Sequence, residues 1–245
     1  GENKENTIIH SESEQNKYSI WLNAPGIVIE NLSIKNSGPG LYSSGLKITA
    51  SKTLIRNCYV YDTPVGIAIF SSNNIINNCI FYGCPDEGLA LLGSPYSECT
   101  NNNISNCKFF NNCDGIELQY STDNIITNCE FYNNTHSAVD AIISSNDRNV
   151  ISDCKIYNNI VHGIYLSSSS YNKIINCDIL NNSNGDIVMN KDSKNNDIVS
   201  LSNKDSEDKK ESCLMQTIYF LLKNKFNGQI AKKISILKEK KLNDF

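Results

Sequence analysis

Apolar residues recur along the first 200 or so residues in a pattern that repeats every 21 to 28 residues. Each repeat places an isoleucine three positions before an anchor residue, which is usually a cysteine preceded by asparagine. The isoleucines are Ile29, Ile55, Ile76, Ile104, Ile126, Ile151, Ile174 and Ile198, and the anchors are Leu32, Cys58, Cys79, Cys107, Cys129, Cys154, Cys177 and Leu201. Most anchors are followed two positions later by another apolar residue. This period-2 pattern, interrupted once per repeat, predicts two short strands joined by a tight turn.

A third strand in each repeat is marked by a glycine followed by an apolar residue. These glycines are Gly45, Gly66, Gly88, Gly115 and Gly163, and we place Asp140 and Asp186 at the glycine position of two further repeats. Three short strands per turn predict an all-β parallel β-helix solenoid of about eight rungs. No rung can bury its own apolar face, so stacking creates the core, and like residues lie about 4.8 Å apart in successive rungs.

The repeated xIxNCxFxNNxxGIxL pattern resembles the pectate-lyase-like superfamily of right-handed parallel β-helix (PbH1 repeat) proteins. Within it, the pattern is most similar to the NosD-like, or carbohydrate-binding and sugar hydrolysis, proteins. The resemblance covers residues 7 to 202 and implies a right-handed helix. It does not fix the function, because this fold includes lyases, hydrolases, epimerases and inert scaffolds. NosD is named for copper maturation, but two Met and three His in scattered positions are too few ligands for a copper relay.

Composition and charge narrow the function classes. Residues 203–245 carry a net charge of +4, which leaves −8 on residues 1–202, and a mildly acidic body gives no electrostatic support for nucleic-acid binding. No apolar run reaches the roughly 18–20 residues that a membrane span requires. The chain starts without an initiator Met or a signal segment. We therefore interpret it as a mature or trimmed product, for which the missing signal segment says little about location. Separately, we expect an extracellular or cell-surface protein, with its oligomeric state open.

Eight of the ten cysteines fall into two groups, and Cys99 and Cys213 belong to neither. Six of them are anchors in one inward column, where we expect reduced thiols acting as small buried hydrophobes, because side chains that run parallel up a ladder rarely allow the disulfide dihedral angle. Cys84 and Cys113 lie in neighbouring loops and are the pair most suited to a bridge. The chain contains no CxxC pair and no Cys/His spacing typical of zinc.

Two outward-facing columns are candidate binding surfaces. One is a row of aromatic residues three positions after the anchor: Tyr61, Tyr82, Phe110, Tyr132 and Tyr157. Such a row either shields a corner of the core or stacks on successive sugar rings, which makes it a candidate carbohydrate-binding strip. The other column is the outward face of the third strand, to which we assign Trp21, Lys47, Ala68, Ala90, Glu117, Ile142, Tyr165 and Val188. In related lyases and hydrolases, this face carries the active site.

Acidic residues gather beside that face. Glu87, Asp114 and Glu117 lie on two adjacent rungs, which allows two carboxyl groups to lie about 5 Å apart, the distance of a retaining glycosidase pair. His162 is a more distant candidate base. Asp86, Glu87, Asp114 and Asp140 form a candidate Ca²⁺ site, and we expect no other cofactor. The alternative is that these are ordinary polar turn positions, since Ser44, Val65 and Val139 occupy the equivalent place in other rungs.

The repeat stops after Leu201, which predicts a β-helix over residues 1–202 and a charged linker over 203–212. Leu214, Ile218, Leu221 and Leu222 then recur at helical spacing, so residues 213–245 are predicted to form an amphipathic helical cap over the open end or along the third-strand face. A segment that touches a membrane surface is the alternative for this tail.

Three functions fit the sequence. The first is a non-catalytic secreted or cell-surface module that binds polysaccharide or a cell-surface glycan. The second is a polysaccharide lyase or glycoside hydrolase with Asp114 and Glu117 at its site. The third is a structural surface spacer.

Overall fold

The structure is a computed structural model that describes residues 1–11, 17–35, 37–38, 40, 43–143 and 145–199. These residues form 26 short strands and no helix. The first nine strands are β1 (Ile8–His10), β2 (Tyr18–Leu22), β3 (Val28–Glu30), β4 (Ser33–Lys35), β5 (Ser44–Ile48), β6 (Leu54–Arg56), β7 (Tyr59–Tyr61), β8 (Val65–Ile69) and β9 (Ile75–Asn77). The next nine are β10 (Ile80–Tyr82), β11 (Glu87–Leu92), β12 (Cys99–Thr100), β13 (Asn103–Ser105), β14 (Lys108–Phe110), β15 (Asp114–Gln119), β16 (Ser121–Thr122), β17 (Ile125–Thr127) and β18 (Glu130–Tyr132). The last eight are β19 (Ser137–Ala141), β20 (Val150–Ser152), β21 (Lys155–Tyr157), β22 (His162–Leu166), β23 (Lys173–Ile175), β24 (Asp178–Leu180), β25 (Ile187–Met189) and β26 (Asp197–Val199).

The strands form three parallel eight-stranded sheets. The first sheet has the order β1-β4-β7-β10-β14-β18-β21-β24, the second β2-β5-β8-β11-β15-β19-β22-β25, and the third β3-β6-β9-β13-β17-β20-β23-β26. Strands β12 and β16 add a small two-stranded ladder. Each turn of the chain gives one strand to each sheet, which confirms the predicted parallel β-solenoid of about eight turns. The predicted linker and helical cap lie outside the described residues.

Columns of identical side chains fill the space between the three sheets. Ile55, Ile76, Ile104, Ile126, Ile151 and Ile174 are fully buried, as are the cysteine anchors. Phe81, Phe109 and Phe131 stack in the core with ring centroids 4.7 and 4.8 Å apart. The nine described cysteines are free thiols, so the bridge considered between Cys84 and Cys113 is not formed. Among the described residues, no helix is long and apolar enough to cross a membrane.

Asparagine has two structural roles that explain its abundance. One is a buried ladder, in which the Oδ1 of each asparagine accepts the backbone N–H of its counterpart one turn earlier. Asn124, for example, accepts from Asn102 at 2.9 Å, and Asn149 accepts from Asn124 at 3.0 Å. A second ladder joins Asn112, Asn134, Asn159 and Asn182. The other role is at the turn before each anchor, where Asn57, Asn78, Asn106, Asn128 and Asn176 adopt φ of 51 to 56°, a conformation that asparagine tolerates better than most residues.

Candidate functional site

The outer face of the second sheet carries a groove of about 450 Å³. Val65 and Ala68 lie on its central strand, β8, and Phe70 directly follows that strand. Tyr18 on β2 and Lys47 on β5 lie toward one end, and Glu87 on β11 and Glu117 and Gln119 on β15 lie toward the other. The groove spans β2, β5, β8, β11 and β15, a length of about 19 Å at the usual strand separation. Small side chains on the central strand leave the room that the larger groups border.

The Lys47 ammonium group lies among three aromatic rings, of which Tyr18 and Phe70 line the groove and Trp21 lies beside it. The Lys47 Nζ lies 5.3 Å from the centroid of Tyr18, 5.4 Å from Phe70 and 6.0 Å from Trp21. Trp21 is 47% exposed and Phe70 44% exposed, so ring surface remains open to solvent. The Trp21 indole N–H donates to the Thr49 hydroxyl at 2.8 Å, which fixes the ring. The surroundings of Lys47 therefore offer both apolar ring surface and a hydrogen-bonding ammonium group.

A pair of buried carboxyl groups forms the opposite wall. Burial is the largest cause that raises the pKa of Glu87, to about 10, and the negative charges of Glu117 and Asp86 add to it. Burial also raises the pKa of Glu117, while hydrogen bonds from Gln119 and Glu87 oppose that shift. Glu87 is therefore the protonated member of the pair. Its partner in the groove is Glu117, whereas the sequence led us to pair Glu117 with Asp114.

Asp114 belongs to a second cluster, which we call the Asp–His–Asp cluster: Asp114, His136 and Asp140. The Nδ1 of His136 lies 2.9 Å from Asp114 Oδ1 and 3.4 Å from Asp140 Oδ2, and the Ser137 N–H donates to Asp114 Oδ1 at 2.7 Å. These hydrogen bonds, first to Asp114 and then to Asp140, raise the pKa of His136 to about 10. Burial raises the pKa of Asp114, and His136 partly offsets it. The cluster thus combines an imidazole with two buried carboxylates.

The position of Asp140 differs from our sequence alignment. We placed it at the glycine position and assigned Ile142 to the outward column, but Asp140 is the direct register partner of Glu117, and Ala138 occupies the place of Gly115. Ile142 lies beyond the strand and is not in that column. The prediction was wrong because it relied on glycine to set the register, and this turn has alanine there. Sequence reasoning left His136 unassigned. It lies four residues before Asp140 at the rim, and its Nδ1 faces the Asp140 carboxylate.

The acids predicted to bind Ca²⁺ are divided between the groove and the Asp–His–Asp cluster. Asp86 and Glu87 line the groove, whereas Asp114 and Asp140 converge on His136, so the four acids of the candidate Ca²⁺ site are split in two. His162 lies two turns from Asp114 and stacks on Tyr165 with centroids 4.9 Å apart. Burial, and then the charge of His136, lower the pKa of His162.

The aromatic column forms one continuous stack on the outside of the first sheet. Centroids of successive rings are 4.8 to 5.3 Å apart and interplanar angles are 4 to 6° for Tyr61, Tyr82, Phe110, Tyr132 and Tyr157. Each inner ring therefore has both faces covered by its neighbours and presents only its edge. Sugar stacking needs a free ring face, so the groove is better suited to it than this column.

Comparison with known protein families gives a match over most of the chain. The model of the NosD family, described as periplasmic copper-binding protein, matches residues 1–138 and, in a second overlapping alignment, residues 55–204. The chain belongs to the NosD family. A search of curated proteins by sequence found no match.

Several solved structures with the same fold are named as epimerases or lyases of alginate, pectate or mannuronan. The periplasmic alginate epimerase AlgG is 14% identical with a TM-score of 0.63, and the match covers 75% of this chain and 46% of AlgG. Pectate lyase Pel9A is 16% identical with a TM-score of 0.53, covering 82% and 68%. The Azotobacter vinelandii mannuronan C-5 epimerase AlgE4 A-module is 11% identical with a TM-score of 0.51, covering 81% and 78%. At these identities the likeness shows the pectate-lyase-like fold alone, and the chain spans about half the length of AlgG.

The family description raises the question of which residues suit copper. Cu⁺ favours thiolate and thioether ligands, but the described thiols are buried or half-buried, most of them in the core, and Met189 lies on the surface, apart from them. Cu²⁺ accepts imidazole and oxygen ligands. Among the described residues, the Asp–His–Asp cluster is the one group whose donor atoms converge, and its donors fit the divalent form of the metal.

Proposed function

We propose that this protein is an extracytoplasmic polysaccharide-binding protein, and that one sugar chain lies along the groove of the second sheet. The observation that carries the proposal is the arrangement of open aromatic rings, a lysine and a carboxyl pair around one groove of about 450 Å³. Carbohydrate sites combine ring surface for the apolar faces of the sugar with polar groups for its hydroxyls. The periplasmic family description and the alginate- and pectate-acting neighbours support this direction.

The groove matches a short stretch of an extended polymer. Phe70, beside the central strand β8, and Trp21, on β2, would contact sugar faces, and Lys47 would donate hydrogen bonds to hydroxyl or carboxylate oxygens. Farther along, protonated Glu87 can donate and Glu117 and Gln119 can accept or donate. With Asp86, Glu87 and Glu117 on the far wall, a chain that places neutral sugars there avoids like-charge repulsion.

Binding can be tested by affinity electrophoresis against neutral and acidic polysaccharides with matched aromatic variants. Phe70→Ala should weaken binding about tenfold, the value of one aromatic contact of about 1.4 kcal/mol. Tyr82→Ala, in the middle of the aromatic stack, is the matched control and should leave the affinity unchanged. Absence of binding to every polymer would refute the proposal, and a loss confined to Tyr82→Ala would place the sugar on the aromatic stack instead.

A second candidate function is cleavage of the bound chain by Glu87 and Glu117. The observation that favours it is one carboxyl group that is protonated at neutral pH, hydrogen-bonded to a second inside the groove. A protonated acid can donate to a glycosidic oxygen while the carboxylate attacks the sugar or activates water. New reducing ends without absorbance at 235 nm would indicate hydrolysis, and absorbance at 235 nm would indicate elimination. Unchanged activity in Glu117→Gln would remove this pair from the mechanism.

A further inference from the structure

We propose that Asp114, His136 and Asp140 together bind one divalent first-row transition-metal ion. Each aspartate would give one carboxylate oxygen, and His136 would give Nδ1. This site lies beside the sugar-binding groove, and its existence does not depend on sugar binding.

The spacing of the three donor groups suits a small ion. Nδ1 of His136 is 2.9 Å from Asp114 Oδ1 and 3.4 Å from Asp140 Oδ2, and one donor atom from each residue lies within 4.8 Å of the others. Zinc bound at about 2.0–2.2 Å in tetrahedral geometry separates its ligand atoms by about 3.3–3.6 Å. The two distances to Nδ1 lie within about half an ångström of this spacing, and an ion would take the place of the proton that Nδ1 shares with the carboxylates.

An unpartnered oxygen supplies a second, independent observation. Asp140 is only 3% exposed, and its Oδ1 has no hydrogen-bond partner among the described residues. Buried carboxylate oxygens are nearly always satisfied, because leaving one unpaired costs free energy of desolvation. The other oxygen of the same carboxylate faces His136. A cation at the cluster would satisfy a group that the protein itself leaves unpaired.

The negative charge around the cluster and its access to solvent also favour metal binding. The cluster and the adjoining groove wall hold Asp86, Glu87, Asp114, Glu117 and Asp140 within three successive turns. The side chain of His136 is 40% exposed, so solvent reaches the cluster from that side. Three protein ligands and one open side are typical of sites that keep a position for water or substrate. The donors contain no sulfur, so we expect Zn²⁺ or Cu²⁺ rather than Cu⁺, and a site this small favours them over Ca²⁺.

The test is metal binding by the full chain, measured by competition with a chromophoric chelator for Zn²⁺. We expect the wild type to bind one equivalent of Zn²⁺. His136→Gln and Asp140→Asn should each lower the affinity more than about 100-fold, because losing a residue that only hydrogen-bonds to a metal ligand already lowers metal affinity about 10–100-fold. His162→Gln is the control, because it removes a neighbouring imidazole outside the cluster, and it should bind zinc as the wild type does. Circular dichroism of each variant establishes that it is folded.

A second measurement does not depend on the variants. Crystals soaked in Zn²⁺ should show an anomalous peak at about 2.0–2.1 Å from His136 Nδ1. The proposal is overturned if the wild type binds no zinc, if His136→Gln binds it equally well, or if Ca²⁺ binds more tightly than Zn²⁺.

Discussion

Glu87 on β11 and Glu117 on the neighbouring strand β15 are two buried carboxyl groups whose pKa values depend on each other. Two buried carboxyl groups in contact cannot both ionise at low cost, because each loses hydration and repels the other. The proton therefore stays on Glu87 at neutral pH, with its pKa raised to about 10. Because the pKa of Glu87 differs between the folded and unfolded chain, the same carboxyl pair that borders the groove makes the stability of the fold depend on pH.

Stability should fall as pH rises from about 5 to 9. Above the usual glutamate pKa of about 4.3, the unfolded chain has released the Glu87 proton, whereas the folded chain keeps it up to about pH 10. At Glu87 the folded state thus keeps a proton that the unfolded chain has lost, and this group alone lowers the free energy of unfolding by up to about 1.4 kcal/mol per pH unit. Above about pH 6.5 the raised pKa of His136 adds to the decline. Urea unfolding at pH 6, 7 and 8 measures this slope.

Glu87→Gln should remove the Glu87 part of that slope, leave the part due to His136, and stabilise the protein at pH 8, because glutamine keeps a hydrogen-bond donor and does not titrate. Glu30→Gln is the control: Glu30 lies on the surface, paired with Arg56, and its removal should leave the slope as it is. A slope for Glu87→Gln equal to that of the wild type would show that Glu87 loses its proton in the folded state well below pH 10.

Gly115→Ala should destabilise the fold by about 2 kcal/mol, as expected for added atoms in a packed site. A Cβ at this position would lie 2.5 Å from the carbonyl oxygen of Ala138 and 2.7 Å from Cδ1 of Phe131. The reverse change one turn later, Ala138→Gly, only adds backbone freedom and should cost about 0.5–1 kcal/mol. Urea unfolding of both variants makes the comparison, and equal costs would contradict the steric explanation.

These two positions also show where sequence reasoning succeeded. Gly115 marks the third strand because its backbone lies against the next turn. In most turns, the glycines predict this strand correctly. With the isoleucine and cysteine columns, they predict the three sheets and the core. Ala138 breaks the glycine column without breaking the sheet, so the register of that turn, and with it the place of Asp140, could not be read from glycine alone.

The contacts between side chains also could not be predicted from the sequence. Strand alternation predicted that Tyr82 and Tyr132 point outward, but alternation does not tell whether neighbouring rings cover each other's faces. Likewise, three acids on two adjacent turns allow several pairings. Only the structure shows that Asp114 is held by His136 and Ser137, which leaves Glu87 as the partner of Glu117.

The asparagine ladder should be sensitive to single substitutions. Asn124 is fully buried, accepts the Asn102 N–H at 2.9 Å and donates to the carbonyl oxygen of Cys99 at 3.0 Å. Asn124→Ala leaves both backbone groups unpaired and should lower the free energy of unfolding by about 2–4 kcal/mol. Asn128→Gly, at a turn where φ is 52°, is the matched control and should be close to neutral. Equal effects of the two changes would argue against the ladder as a source of stability.

The cysteines should all be free in the purified protein. Alkylation in denaturant without a reducing agent should modify all ten, of which Cys213 lies outside the described residues. In the native protein the ladder thiols should react slowly, at the rate of unfolding, because Cys79, Cys107 and Cys129 are buried at 0 to 2% exposure. A count of eight would reveal a disulfide that the structure does not contain. Cys113→Ser then identifies it: nine free thiols in that variant would place the bridge at Cys113, whereas seven would place it elsewhere.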